Sequence, residues 1–152
     1  LELAERCEAV GLDSVWVGDS LLAKPRHDPI TLMSAIAART KRVEIGTAVM
    51  LPMLRNPVIL AQQLATLDQI SESRVIIGIG VGQDTPPNHK EFQAAGVPFE
   101  KRVGTLLEGL RLCQALWTGE PVNWDGRWTV KIACWAPSPL DPVGHAFGAV
   151  AA

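Results

Sequence analysis

Cysteine is scarce in this sequence. Cys7, Cys113 and Cys134 are the only three, widely separated, with no C-x-x-C pair and no spacing that would gather metal ligands. Such an odd, scattered set argues against a disulfide framework and reads as reduced thiols of a cytoplasmic protein, with no metal site expected. Long apolar runs are missing too, so no stretch reaches the length of a membrane span, and no signal peptide is visible. There is no basic excess: 14 Lys and Arg face 16 Asp and Glu, for a net charge of -2, which leaves no electrostatic footprint for nucleic acid. Neither a Walker phosphate loop nor a Gly-x-Ser-x-Gly elbow occurs. An initiator methionine is also lacking, and Leu1-Glu2-Leu3-Ala4-Glu5-Arg6-Cys7 opens directly on a helix pattern. We therefore expect the interior of a longer chain.

What is present is an ordinary globular composition. Hydrophobic residues make up 47% and charged residues 20% of 152 positions, enough for one domain with a real core. Arg74-Val75-Ile76-Ile77-Gly78-Ile79-Gly80-Val81-Gly82 stands out, followed by Gln83-Asp84-Thr85-Pro86-Pro87. A short, β-branched apolar run between polar segments reads as a strand buried on both faces, as in a parallel sheet. With a side-chain period of two, Gly78, Gly80 and Gly82 share one face, and Ile77, Ile79 and Val81 share the other. Glycine weakens a strand interior, so three in register need a cause: a closely packed backbone or a flat ligand. This is not a dinucleotide fingerprint, because Gln83 stands where the third glycine belongs and a proline-containing stretch follows where a helix would open.

Along the rest of the chain, residues 1–10 read as a helix with Leu3, Cys7 and Val10 on one side and Gly11 just past its end. Ser14-Val15-Trp16-Val17 reads as a strand ending in Gly18-Asp19-Ser20. Asp28-Pro29 and Asn56-Pro57 are each an N-cap followed by a first-turn proline, opening helices to about Arg39 and Ile70. Residues 43–50 form the strand between them. Three strands roughly thirty residues apart, each separated by one helix, are successive βαβ units of a parallel sheet. Thr85–Pro98 reads as a polar loop. A long helix is expected from Phe99 to Trp117, with Val103, Leu106, Leu107, Leu110 and Cys113 inward. Val122 to Val130 reads as a hairpin, with Asp125-Gly126 supplying the positive φ of a type I′ turn. Beyond residue 131 no element is evident, so we divide the chain into a barrel-type domain at 1–131 and an atypical, disordered tail at 132–152.

The strand ends supply the candidate chemistry. Gly18-Asp19-Ser20, Thr47-Ala48-Val49 and Gly80-Val81-Gly82-Gln83-Asp84 would converge on one mouth of a parallel barrel. Asp19 is either a ligand acceptor or a turn cap. His27, in a loop with Lys24 and Arg26, is a candidate for proton transfer or a solvated side chain. Gln83 and Asp84 either orient a substrate or end the strand. Lys24, Arg26, Lys41, Arg42 and Arg55 form no continuous patch and are expected to be solvated.

Several segments together resemble one family. Gly11-Leu12-Asp13-Ser14-Val15-Trp16-Val17-Gly18-Asp19 is similar to the second strand of the bacterial luciferase-like monooxygenases and deazaflavin-dependent oxidoreductases. Ile45-Gly46-Thr47-Ala48-Val49, Asn56-Pro57 with Ala61-Gln62-Gln63-Leu64-Ala65-Thr66-Leu67-Asp68, and the glycine strand resemble its third and fourth units. Glu91-Phe92, Gly96-Val97 and Leu116-Trp117-Thr118-Gly119 match its following connection. The resemblance covers about residues 1–130 and rests on order and spacing rather than on one motif.

That resemblance implies an α/β fold, a partial TIM (β/α)8 barrel holding units two to four and an insertion with a β-hairpin. It implies FMN or coenzyme F420 at the C-terminal mouth, a non-prolyl cis peptide near Ala48-Val49, and glycines that leave room beneath a flat ring. The expected cofactor-binding residues are Asp19, Thr47, Ala48, Val49, Gly80, Val81, Gly82 and Gln83; the expected catalytic residues are His27 and Asp84. Two departures are visible. Many deazaflavin members carry Asp-His where this chain has Asp19-Ser20, and some carry a carboxylate where it has Gln83. The implied activity is an oxidoreductase or monooxygenase passing a hydride or activating oxygen, with a small-molecule substrate and at most a second copy of the chain as partner. The competing expectation is a non-catalytic ligand-binding or interaction protein that retains half a barrel.

Overall fold

Asp28 and Asn56 each begin a helix for a local reason. The Asp28 carboxylate accepts the Thr31 N–H, the Asn56 side-chain oxygen accepts the Val58 N–H, and a proline follows each cap, where its missing donor is not needed. The resulting helices, α2 (Pro29–Arg39) and α3 (Pro57–Ser71), alternate with β1 (Ser14–Val17), β2 (Glu44–Met50) and β3 (Val75–Gly80), after an opening helix α1 (Glu2–Ala9). These elements come from a computed structural model, which describes residues 1–133, 135, 138, 139, 150 and 151. β1, β2 and β3 are adjacent and parallel, in register through Trp16, Gly46 and Ile76. The expected α/β fold with a parallel sheet is what forms.

One face of that sheet makes the core. Ile45, Val75, Ile77 and Ile79 lie against Met33, Ile36, Leu60 and Leu64 of α2 and α3, all at most 6% exposed. Burying an aliphatic side chain of this size contributes about 1.5–3 kcal/mol. The other face is not covered to the same degree: Trp16 is half exposed, and Ile76 and Gly78 are only partly buried. The glycine strand is therefore buried on one face rather than both. Arg74 ties the bottom of the sheet together, donating to the carbonyls of Ala37, Thr40, Val43 and Ser71 and to the Thr40 hydroxyl.

Several expectations need correction. The stretch after β3 is a helix, α4 (Pro86–Ala94), not a loop; Pro86 and Pro87 sit in its first turn, where proline is tolerated. In α5 (Arg102–Trp117), Leu106 and Cys113 are buried as expected, but Val103 and Leu107 are nearly half exposed, and Leu112, Leu116 and Trp117 fill the interface instead. That interface is with α3, where the Trp117 indole donates to the Ala61 carbonyl at 3.0 Å. Leu3 of α1 and Val10 at its C-cap are about three-quarters exposed, and Ala4 is the helix's buried residue.

The hairpin is present as β4 (Val122–Asp125) and β5 (Thr129–Ile132), but its turn differs from the expectation. Asp125 pairs with Thr129, so three residues connect the strands, and Gly126 is not among the positive-φ glycines. Glu108 of α5 holds the turn instead, accepting the Arg127 N–H at 2.6 Å and pairing with its guanidinium at 3.1 Å. A short strand, β6 (Val150–Ala151), runs parallel to Ile79–Gly80, where the tail was expected to hold no element. Residues 134, 136, 137, 140–149 and 152 of that tail, Cys134 among them, lie outside the described residues. Among the described residues no helix is long and apolar enough to cross a membrane.

Candidate functional site

Parallel strands deliver their C-terminal ends to one edge, and here those ends enclose a cavity of about 460 Å³. Its size falls within the range of small-molecule sites, about 300–1,000 Å³. Gly18, Asp19 and Ser20 follow β1; Ala48 and Val49 lie near the end of β2; Gly80 ends β3 and Val81 through Gln83 follow it; and all of these line the cavity. The Ala48-Val49 peptide is cis and non-prolyl, at the place the family resemblance implied.

The glycines owe their identity to protein neighbours. A Cβ on Gly78 would run into the Thr47 carbonyl oxygen, and one on Gly80 into the Val49 side chain. Both close approaches lie where β2 shifts register, between Thr47 and Met50. Gly82 is different, because β3 ends at Gly80. It adopts φ +78, and a Cβ there would stand 2.9 Å from the Phe92 ring. The three do not form one continuous strand face. Of the three, Gly80 and Gly82 line the cavity, with the Val49 side chain against Gly80.

The Asp19 side chain is almost fully buried, and its carboxylate is occupied by protein donors. Arg55 donates to both oxygens, at 2.6 and 2.9 Å, and the Leu51 N–H donates to Oδ2 at 3.0 Å. Arg55 also reaches Asp28 at 3.2 Å, so it is not the solvated side chain expected of it. Burial opposes charge on Arg55, but the hydrogen bonds and charges of Asp19 and Asp28 outweigh it and hold its pKa above the ordinary value. Burial likewise opposes ionisation of Asp28, yet the Thr31 N–H and hydroxyl and the Arg55 guanidinium keep its pKa lowered.

Glu91 is the residue that sequence reasoning missed. It is 1% exposed, on α4, and its Oε1 accepts from the Ser20 hydroxyl and the N–H groups of Leu22 and Ala23, at 2.6–2.7 Å. Burial pushes its pKa up, but the Ala23 N–H, the Ser20 hydroxyl and the Leu22 and Leu21 N–H groups prevail and leave it below the ordinary value. A carboxylate ringed by donors is charged at neutral pH. Glu91 thereby fastens the loop after β1 onto α4. The only sequence signal was its place in Glu91-Phe92, which carried no hint of this partner.

Three expected site residues do not line the cavity. Thr47 faces away from it, fully buried, with its hydroxyl donating to the Gly78 carbonyl at 2.9 Å. Asp84 lies on the surface and pairs with His89 at 2.8 Å, the latter stacked on Phe99. His27 is exposed on the β1–α2 loop. Asp19, Ala48, Val49, Gly80, Val81, Gly82 and Gln83 are brought together as cavity walls, joined by Lys24, Arg26, Asn88 and Glu91.

A family model for luciferase-like monooxygenases matches residues 1–150. The chain belongs to that family. Among relatives of the luciferase-like type is an F420-dependent glucose-6-phosphate dehydrogenase of Amycolatopsis mediterranei (strain U-32), 42% identical over 135 residues; the match covers 83% of this chain and 39% of the relative. A solved monooxygenase, RslO1 from Streptomyces bottropensis, superposes with a TM-score of 0.83 at 30% identity, over 95% of this chain and 44% of that one. An F420-dependent secondary alcohol dehydrogenase, solved with an F420-acetone adduct, superposes with a TM-score of 0.79 at 32% identity, over 96% of this chain and 46% of that one. The chain thus spans about two fifths of the curated relative and less than half of these two solved structures.

Proposed function

We propose that this chain supplies the cofactor-binding end of an oxidoreductase that uses coenzyme F420 or FMN, with β1–β3 as units two to four of a (β/α)8 barrel. The observation that carries the reading is the cavity at the shared C-terminal ends of β1, β2 and β3, walled by Ala48, Val49 and Gly80. Ligands of parallel barrels bind at this end. The residues fit a planar ring: Gly80 offers backbone, Val49 an apolar surface, and the nearby carboxylates of Asp19 and Glu91 are held by protein donors. When bound, F420 supplies a two-electron hydride carrier, and FMN supplies that or oxygen activation.

The chain's own residues then have distinct tasks. Ala48, Val49, Gly80, Val81 and Gly82 form the surface on which the ring lies and keep water from that side. Gln83, exposed at the mouth, offers an amide to orient the substrate. Asp19 is a positioning residue. Through Arg55 and the Leu51 N–H it fixes the segment that leaves Val49. His27 and Asp84, outside the walls, reach the reaction only from substrate or segments placed above the mouth. The substrates in the relatives' names, glucose 6-phosphate and a secondary alcohol, both carry a hydroxyl, and we extend that class to this chain.

The test is the absorption spectrum of the purified protein, followed by titration with F420 and with FMN. A bound deazaflavin or flavin band, bleached on adding substrate or a reductant, is expected. Binding without redox turnover would favour the ligand-binding alternative, and no binding of either cofactor would remove the reading.

A further inference from the structure

Two cations stand at the cavity, and neither has a carboxylate partner among the described residues. Lys24 and Arg26 both line it, whereas the ion pairs among the described residues engage Arg39, Arg55, His89 and Arg127. The two lining carboxylates do not neutralise them locally. Asp19 is closed by Arg55 and the Leu51 N–H, and Glu91 by the donors of Ser20, Leu22 and Ala23. What Lys24 and Arg26 bring to the cavity wall is therefore cationic donor capacity that no carboxylate of the described residues pairs with.

Both cations are placed by structure. Glu91 closes the loop at Ser20–Ala23, and the Ser20 hydroxyl also accepts the Lys24 N–H at 2.9 Å, fixing the backbone from which Lys24 projects. The Arg26 guanidinium lies directly over Gly18, so close that its Nη1 and Cζ occupy the space a Cβ would need. That stacking sets the planar fork at the end of β1, beside the cavity. Lys24 and Arg26 line one cavity, and a guanidinium fork with an ammonium can together meet the tetrahedral oxygens of a phosphate-class anion by charge-assisted hydrogen bonds.

We propose that Lys24 and Arg26 form an oxyanion subsite of this cavity, which takes a phosphate-class group of the ligand bound there. The group belongs either to the substrate or to the cofactor's own phosphate, and the chemistry of recognition is the same. The assignment of the subsite to an oxidoreductase ligand rests on the proposed function; the binding of the anion does not.

The experiment titrates inorganic phosphate into the protein by calorimetry, in the unvaried chain, in the Lys24→Gln/Arg26→Gln double variant and in the Lys24→Arg/Arg26→Lys double variant. Saturable binding to the unvaried chain is expected, weakened about tenfold or more in the charge-removing variant, the loss of one or more charge-assisted bonds. The charge-retaining variant is expected to keep most of it, which a merely structural role of these side chains would not produce. Melting curves of all three identify any variant that fails to fold. Repeating the titration on protein loaded with FMN or F420 separates the sources: phosphate still binds if the subsite serves the substrate, and is excluded if the cofactor's phosphate fills it. Phosphate binding with no cofactor binding leaves the subsite standing and removes the proposed function. Absence of phosphate binding, or equal binding to the unvaried and charge-removing forms, overturns the proposal.

Discussion

Arg55 clasps Asp19 with two parallel bonds across 36 positions of sequence, and the carboxylate it holds is only 2% exposed while the guanidinium keeps a 20% opening to solvent. The pair joins the end of β1 to the segment between β2 and α3, the two stretches that flank one side of the cavity. Because the Leu51 N–H shares the same carboxylate, the pair also fixes the chain two residues beyond Val49.

The asymmetry of burial predicts an asymmetry of loss. Arg55→Met strands a buried carboxylate and should lower stability by about 3–5 kcal/mol. Asp19→Asn keeps an acceptor for Leu51 and leaves Arg55 its contact with Asp28, so the loss should be smaller, about 1–3 kcal/mol. Urea midpoints of the two variants measure this. Equal losses, or a larger one for Asp19→Asn, would show that the pair is not held as described.

Acid should release the loop that carries Lys24. Glu91 has a folded pKa below its ordinary 4.5, so its stabilisation is complete above that value and is lost as pH falls through the folded pKa. Asp28 shifts in the same direction and adds to the same acid limb. Glu91→Gln should be less stable than the unvaried protein at pH 7, with the two stability curves converging below about pH 4.5 as the carboxylate protonates. A gap that stays constant down to the lowest accessible pH would assign the effect to packing instead.

The readable parts of this fold are those fixed by neighbours in sequence. Asp28-Pro29 and Asn56-Pro57 announced α2 and α3 because a cap and its proline are adjacent. The three strand ends that wall the cavity followed from the βαβ rhythm alone. What stayed hidden was set by distant partners. Glu91 meets Ser20 across 71 positions, and no local pattern marks an acid that will be ringed by donors. Reading Thr47-Ala48-Val49 together as one strand end places Thr47 at the cavity, but β2 breaks register just after it. Pro86-Pro87 read as a breaker because nothing local says that the chain behind it, carrying Phe92 to the core, folds into a helix.

The two cysteines that the structure describes should react very differently. Burial pushes the Cys113 thiol up to about 12, and its Sγ donates to the Pro57 carbonyl at 3.3 Å, so it holds almost no thiolate near neutrality. Cys7 is partly exposed on α1. Iodoacetamide at pH 8 should modify Cys7 within the reaction time and leave Cys113 intact until denaturant is added, as read by peptide mass spectrometry. Comparable labelling of both in the native protein would contradict the packing of α5 on α3.

The glycines at the cavity should separate stability from ligand binding. At Gly78 a new methyl meets the Thr47 carbonyl oxygen, a backbone atom that can move only if the sheet does. Gly78→Ala should therefore cost about 1–3 kcal/mol of stability through overpacking. At Gly82 the difficulty is conformational as well as steric. With φ +78 and the Phe92 ring beside it, Gly82→Ala should cost about 1–2 kcal/mol, and a valine there more, since a β-branched residue is poorly suited to positive φ. Gly80 differs from both, because its obstacle is the Val49 side chain, which borders the cavity and can turn into it. Gly80→Ala should be the mildest of the three in a thermal melt and the most damaging to cofactor affinity, since relief is found by filling the space the ring would use. Melting temperatures and cofactor titrations on the three alanine variants decide the matter. If Gly80→Ala binds cofactor as well as the unvaried protein, the ring does not lie on Val49 and Gly80.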